Sequence, residues 1–153
     1  VTYNGAHRYF TNYPHGEPLV QTSLYHLQVN IRPANLPFYR DLMGFLGWST
    51  LMTNDAILGV GAANGASLWF VPQMNDAAND YDGPGANHIG IGADSIADVD
   101  ATVAYMKQHN IPALFETPRH RPEFSRGPDQ TYYQVMFQSP DKLLFEVVYT
   151  GPK

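Results

Sequence analysis

Three side chains set the chemical question in this sequence. His26 lies in Leu24-Tyr25-His26-Leu27-Gln28-Val29, His88 in Asn87-His88-Ile89-Gly90-Ile91, and Glu146 in Leu143-Leu144-Phe145-Glu146-Val147-Val148. A lone carboxylate in such an apolar run is costly unless it is exposed, paired or bound to a metal. Two imidazoles and one carboxylate form a ligand set for a divalent first-row metal, with positions left over for water or substrate. The three are too far apart to make a local motif. The same residues also suit two ordinary strand histidines and a Glu facing solvent on an edge strand. The chain has no cysteine, so thiolate nucleophiles, disulfides and Cys-ligated zinc or iron–sulfur sites within it are excluded.

The elements that would hold these groups recur twice in one order. Residues 23–31 alternate as a strand does, and Phe38, Leu42, Phe45 and Leu46 then follow at helical spacing, with Asn35 as the expected N-cap and Gly44 and Gly47 at the end. Strands are expected at 48–53, 56–61 and 66–72, with Asn54-Asp55 and Asn64-Gly65 turning the chain between them. Residues 75–86, with Asp82-Gly83-Pro84-Gly85, read as a linker. After it come a strand at His88, a helix capped by Ser95 with Asp98 at N3, and strands at 113–117, 131–138 and 143–150. The reading is α+β: two β-α-β-β-β modules, about 22–74 and 87–150, within one domain of residues 22–153. Residues 1–21, aromatic and turn-rich, are expected to be an extension lying on that body.

Of the 153 residues 44% are hydrophobic and 15% charged, which suits a packed core and argues against disorder. Nine Lys and Arg against fourteen Asp and Glu give a net charge of −5, the wrong sign for a general nucleic-acid binder. No stretch approaches the roughly 20 apolar residues of a membrane span. No charged segment followed by an apolar one marks a secretory signal, so the expected location is cytoplasmic.

Four segments together resemble the vicinal oxygen chelate superfamily, which includes glyoxalase I, bleomycin and fosfomycin resistance proteins and extradiol dioxygenases. They are Tyr25-His26-Leu27-Gln28-Val29, Phe38-Tyr39-Arg40-Asp41-Leu42-Met43-Gly44-Phe45, Asn87-His88-Ile89-Gly90-Ile91, and Tyr132 through Tyr149 with its turn Ser139-Pro140-Asp141-Lys142. The resemblance implies paired modules whose curved mixed sheets enclose a cavity, within one chain or across a homodimer. It implies that His26, His88 and Glu146 hold one divalent metal (Fe, Mn, Zn or Ni), with Glu146 also a catalytic group. It would also turn Tyr132, Gln134 and Met136 inward beside Glu146 as substrate contacts. Gln28 and Asn30 share the face of His26 by strand alternation and suit a polar pocket, or else an ordinary solvated face.

The departures from the superfamily are equally specific. Glyoxalase I places a fourth ligand, a Glu, on the fourth strand, where this chain has Ser67-Leu68-Trp69-Phe70-Val71; Trp69 is expected to be a substrate contact instead. Extradiol dioxygenases carry a Tyr ten residues before the last Glu, where this chain has Met136. The segment 118–130 holds three of the nine basic side chains and reads either as a solvated loop with a local charge excess or as a lid, in which Arg119 would hold an anionic substrate and His120 would act as acid or base. His7, His15 and His109 are expected at the surface. The function expected from the resemblance is a metal-dependent lyase, isomerase or dioxygenase acting on a small oxygenated molecule. The alternative is a metal-free protein that sequesters a ligand, as bleomycin resistance proteins do.

Overall fold

A computed structural model of the chain describes residues 22–153, so the expected extension over 1–21, with His7 and His15, lies outside the described residues. The first module runs β1 (His26–Ile31), α1 (Leu36–Phe45), β2 (Ser49–Thr53), β3 (Leu58–Gly61) and β4 (Ser67–Pro72). The second runs β5 (His88–Ala93), α2 (Ile96–Gln108), β6 (Ala113–His120), β7 (Gln130–Gln138) and β8 (Leu144–Pro152). Each module makes one open, mixed sheet of four strands, ordered β1-β4-β3-β2 and β5-β8-β7-β6, in which the first strand lies parallel to the last. No helix among the described residues is long and apolar enough to cross a membrane.

Local sequence explains most of the boundaries. Asn54 and Asn64 make their turns by accepting backbone N–H groups two or three residues on. Ser95 Oγ accepts from Asp98 N at 3.1 Å and donates to Asp98 Oδ2 at 2.6 Å, so one pair of side chains starts α2. Asn35 makes no such bond; α1 is entered through a 3-10 turn at Pro33–Asn35, with Pro37 in the first helical turn.

The expected loop at 118–130 begins later than its Pro and Arg content suggests. Strand β6 continues through Arg119 and His120, which pair with Gln134 and Tyr133. The strand survives because its irregularity is confined to 115–118. Phe115 and Glu116 take left-handed φ values of 55° and 56°, and Thr117 Oγ1 donates to Leu114 O at 2.7 Å and accepts Met136 N at 2.9 Å. A hydroxyl thus fills the gap in the ladder.

One core serves both modules. Tyr39 of α1 stacks on Phe70 of β4 at 4.5 Å and leans on Phe145 of β8 at 6.5 Å, while Phe45 of α1 stacks on Tyr105 of α2 at 4.2 Å. The Tyr39 hydroxyl donates to Asp141 Oδ2 at 2.8 Å and lies 2.9 Å from Ser139 Oγ. Asp141 Oδ1 accepts from Arg32 N and Arg32 Nη1 at 3.1 and 3.2 Å. The turn before β8 is thereby fastened to the first module. Burial, ahead of these partners, pushes the Tyr39 phenol pKa well above its ordinary value.

Candidate functional site

Glu146 occupies an inner strand, with Gly90 of β5 opposite it on one side and Met136 of β7 on the other. It is only 4% exposed, so its two oxygens need partners. Tyr132, two strand steps from Met136 on the same face, donates its hydroxyl to Glu146 Oε1 at 2.9 Å. Burial, reinforced by that bond to the carboxylate, pushes the Tyr132 phenol up to about 12, so it stays a donor at neutral pH. Oε2 faces His88 Nε2 at 3.3 Å. A Cβ at Gly90 would stand 3.4 Å from Oε2, so the glycine leaves open space beside this oxygen.

The spacing and chemistry of this pair fit a cation. Neighbouring ligands at ~2.0–2.2 Å from a tetrahedral or octahedral ion lie ~3.0–3.5 Å apart, the separation found between Nε2 and Oε2. The His88 Nδ1 atom, on the far side of the ring, lies 2.8 Å from Asn87 Oδ1. Among the described residues, however, no three His, Asp or Glu side chains converge as a metal-holding group.

His26 does not join the pair. It sits on β1, in the other sheet, with Gln28 and Asn30 exposed beside it on one face and Ser67, Trp69 and Val71 opposite them on β4. On this face Trp69 lies over Gly59, where a Cβ would fall 2.7 Å from the ring, and the indole Nε1 donates to Ser67 Oγ at 3.2 Å. Glycine is therefore required at 59 for the indole to lie flat. Gln28 and Asn30 also edge a cleft of about 330 Å³ that runs to Gln73, Asn79 and Asp141.

The remaining expected contacts divide by face. Tyr132, Gln134 and Met136 share the face of Glu146, and Arg119, opposite Gln134, shares it too, its Nη1 3.3 Å from Glu116 Oε2. His120 falls on the other face, which removes it from the chemistry of Glu146. It pairs with Tyr133, whose hydroxyl donates to Asp100 of α2, and its ring lies 4.6 Å from the Tyr133 ring. Its Nδ1 contacts Thr131 Oγ1 at 2.7 Å, and it lines an apolar cleft of about 750 Å³ with Ile96, Pro122 and Pro128. The irregularity in β6 shifts its register against β7, so face could not be counted along β6 from the sequence. His109 ends α2, exposed, with Tyr105 stacked on it at 4.1 Å.

Two neighbours of the site were not singled out from the sequence. Phe124 approaches the Tyr132 ring edge-on at 5.4 Å, with the Arg121 guanidinium 4.7 Å above its own ring. The segment after β6 therefore reaches Tyr132, through Phe124 rather than Arg119. Asn87 is the other; the only sequence signal for it is its place directly before a candidate ligand at a strand start.

No protein-family model and no curated protein matches the sequence. Solved structures do match in fold. A candidate glyoxalase from Bacillus halodurans superposes with a TM-score of 0.69 at 23% identity, over 84% of this chain and 96% of that one. A glyoxalase/dioxygenase from Nostoc punctiforme gives 0.66 at 16% identity, over 90% and 99%. A glyoxalase/bleomycin resistance protein from Albidiferax ferrireducens gives 0.63 at 18%, over 81% and 96%.

Proposed function

From a fold shared with glyoxalase, bleomycin resistance and dioxygenase structures, the fold of the vicinal oxygen chelate proteins, we propose that this chain is a metal-dependent enzyme for a small oxygenated substrate. The observation that carries this reading is the buried Glu146, with one oxygen held by Tyr132 and the other turned to His88 Nε2. His88 and Glu146 would hold a divalent ion, and His26 of a second copy of the chain would complete the set. The exposed face of β1 and β4 suits that role, because it presents His26 with Gln28, Asn30 and Trp69, and among the described residues no cluster of three His, Asp or Glu side chains includes His26. A bound ion of this kind supplies Lewis-acid stabilisation of a substrate oxyanion or, if iron, oxygen chemistry.

The chain's own residues do the rest. Tyr132 holds the Glu146 carboxylate in place by donating to Oε1. Arg119 stands on the same face to hold a negative group of the substrate. Trp69 gives the substrate a flat apolar floor, with the Gln28 amide beside it to orient an oxygen. Proton transfer falls to Glu146, since His120 is on the other face.

Elemental analysis after loading with Zn, Mn, Ni or anaerobic Fe(II) tests the site, and mixed variants test its composition. Neither His26→Ala nor Glu146→Gln alone should hold a stoichiometric metal. Random re-pairing of the two should restore roughly a quarter of the sites, because half of the dimers carry one intact set. Full metal retention in His26→Ala would remove His26 from the set. The second reading, a metal-free protein that sequesters a ligand, draws on the flat Trp69 platform. It predicts that a flat aromatic ligand quenches tryptophan fluorescence equally before and after chelation of metal.

A further inference from the structure

Asn87 and the linker before it are given no role by the reading above, yet Asn87 contacts the outer nitrogen of His88 and the linker contacts Asn87. The Asn87 side chain bridges two groups: Nδ2 donates to Tyr81 O at 2.8 Å, and Oδ1 lies 2.8 Å from His88 Nδ1. The first contact settles the second. A backbone carbonyl only accepts, so the amide nitrogen must face Tyr81 and the amide oxygen must face the ring. An amide oxygen also only accepts, so Nδ1 must carry the proton. The Tyr81 carbonyl is itself placed by a tight turn in which Asp82 N donates to Asp80 Oδ1 at 3.1 Å and Gly83 N to Asp80 O at 3.3 Å.

On the inner side, Nε2 is 3.3 Å from Glu146 Oε2. With Nδ1–H fixed, the neutral ring presents a lone pair at Nε2 toward an oxygen that also has only lone pairs. Two such atoms that close call for a cation between them, a metal ion or a proton. We infer that Asn87 is a positioning residue: it fixes His88 in its Nδ1–H form and so keeps Nε2 available to a cation shared with Glu146. The order is Tyr81 carbonyl, Asn87 amide, His88 ring, cation, Glu146, Tyr132 hydroxyl. Hydrogen-bond partners behind a ligating histidine set its tautomer and ring orientation, and losing one weakens metal binding about 10–100-fold.

This inference rests on the proposed ligand role of His88, and the experiment separates the two. The ring nitrogens of 15N-labelled protein are observed by NMR with and without Zn(II), and His88 is assigned by comparison with a His88→Gln variant. In the wild-type chain the His88 Nδ1 should be protonated in both states, with a slowly exchanging ring N–H. Asn87→Ala should lose that N–H to exchange and weaken Zn(II) binding about 10–100-fold by calorimetry. Asn87→Asp, which still accepts from Nδ1 but loses the donor to the Tyr81 carbonyl, should recover both readouts in part. A bare Nδ1 in the wild-type protein, or Asn87→Ala with unchanged N–H signal and Zn(II) affinity, would overturn the inference. A wild-type Nδ1–H that is lost in Asn87→Ala, with no Zn(II) bound by either, would leave the Asn87 role standing and overturn the metal reading.

Discussion

At Glu146 the two carboxylate oxygens have different work, and each can be tested alone. Glu146→Gln keeps the shape and removes the anion that binds a hard or borderline cation, so metal content after loading should fall sharply while the fold is kept; dialysis followed by elemental analysis reads this directly. Tyr132→Phe takes away the hydroxyl that occupies Oε1. A charge-assisted bond of this kind contributes about 1.5–3 kcal/mol, and denaturant unfolding should show a loss toward the lower end because Tyr132 is not fully buried. Glu146 was legible in the sequence because a lone carboxylate in an apolar strand calls for a partner. His88 was legible as an imidazole on the first strand of the second module, and the resemblance of its segment sharpened that reading to a ligand. Asn87 was not, because its meaning depends on a carbonyl in the linker that no spacing reveals. Residue type gave no warning that His120 faces away.

Among the elements, α2 offers the most direct check. Ser95 supplies the capping oxygen to Asp98 N, so Ser95→Ala should cost about 1 kcal/mol of stability, measurable as a shift of the denaturant midpoint at unchanged slope. Both β-α-β-β-β orders could be read from alternation, turn asparagines and this cap, since each is a short-range effect. The end of β6 could not. Its continuation past Pro118 depends on Thr117, whose hydroxyl bridges Leu114 and Met136, residues that only the folded sheet brings together. The first sheet carries its own test at Gly59. Gly59→Ala would put a Cβ 2.7 Å from the Trp69 ring, so the indole must lift from the sheet, and tryptophan emission should shift as its exposure changes.

The whole molecule is held as one unit by Tyr39, Asp141 and Arg32, which link the two modules through buried and half-buried bonds. Tyr39→Phe leaves the buried Asp141 short of a donor and should cost about 1–3 kcal/mol. It should also change the pH dependence. An unfolded Tyr ionises near 10.0, while the buried Tyr39 holds its proton to higher pH. The stabilising difference is fully present below pH 10 and is lost as pH rises further, because the native state then binds the extra proton. Tyr39→Phe should therefore flatten the alkaline fall in stability seen by denaturant titration.

Both candidate histidines lie on strands at the rim of their sheets, β1 and β5, each hydrogen-bonded along one side only among the described residues. Rim strands open more readily than inner ones, so their amides exchange with solvent through local openings that cost less than global unfolding. Glu146, on an inner strand, does not share that freedom. An ion joining His88 to Glu146 would tie a strand that opens easily to one that does not, and every opening of β5 would then require breaking a coordination bond. Amide deuterium exchange in β5 should slow on metal loading far more than in β3 or β7. In a dimer with composite sites β1 should slow with it, although no hydrogen bond joins the two strands.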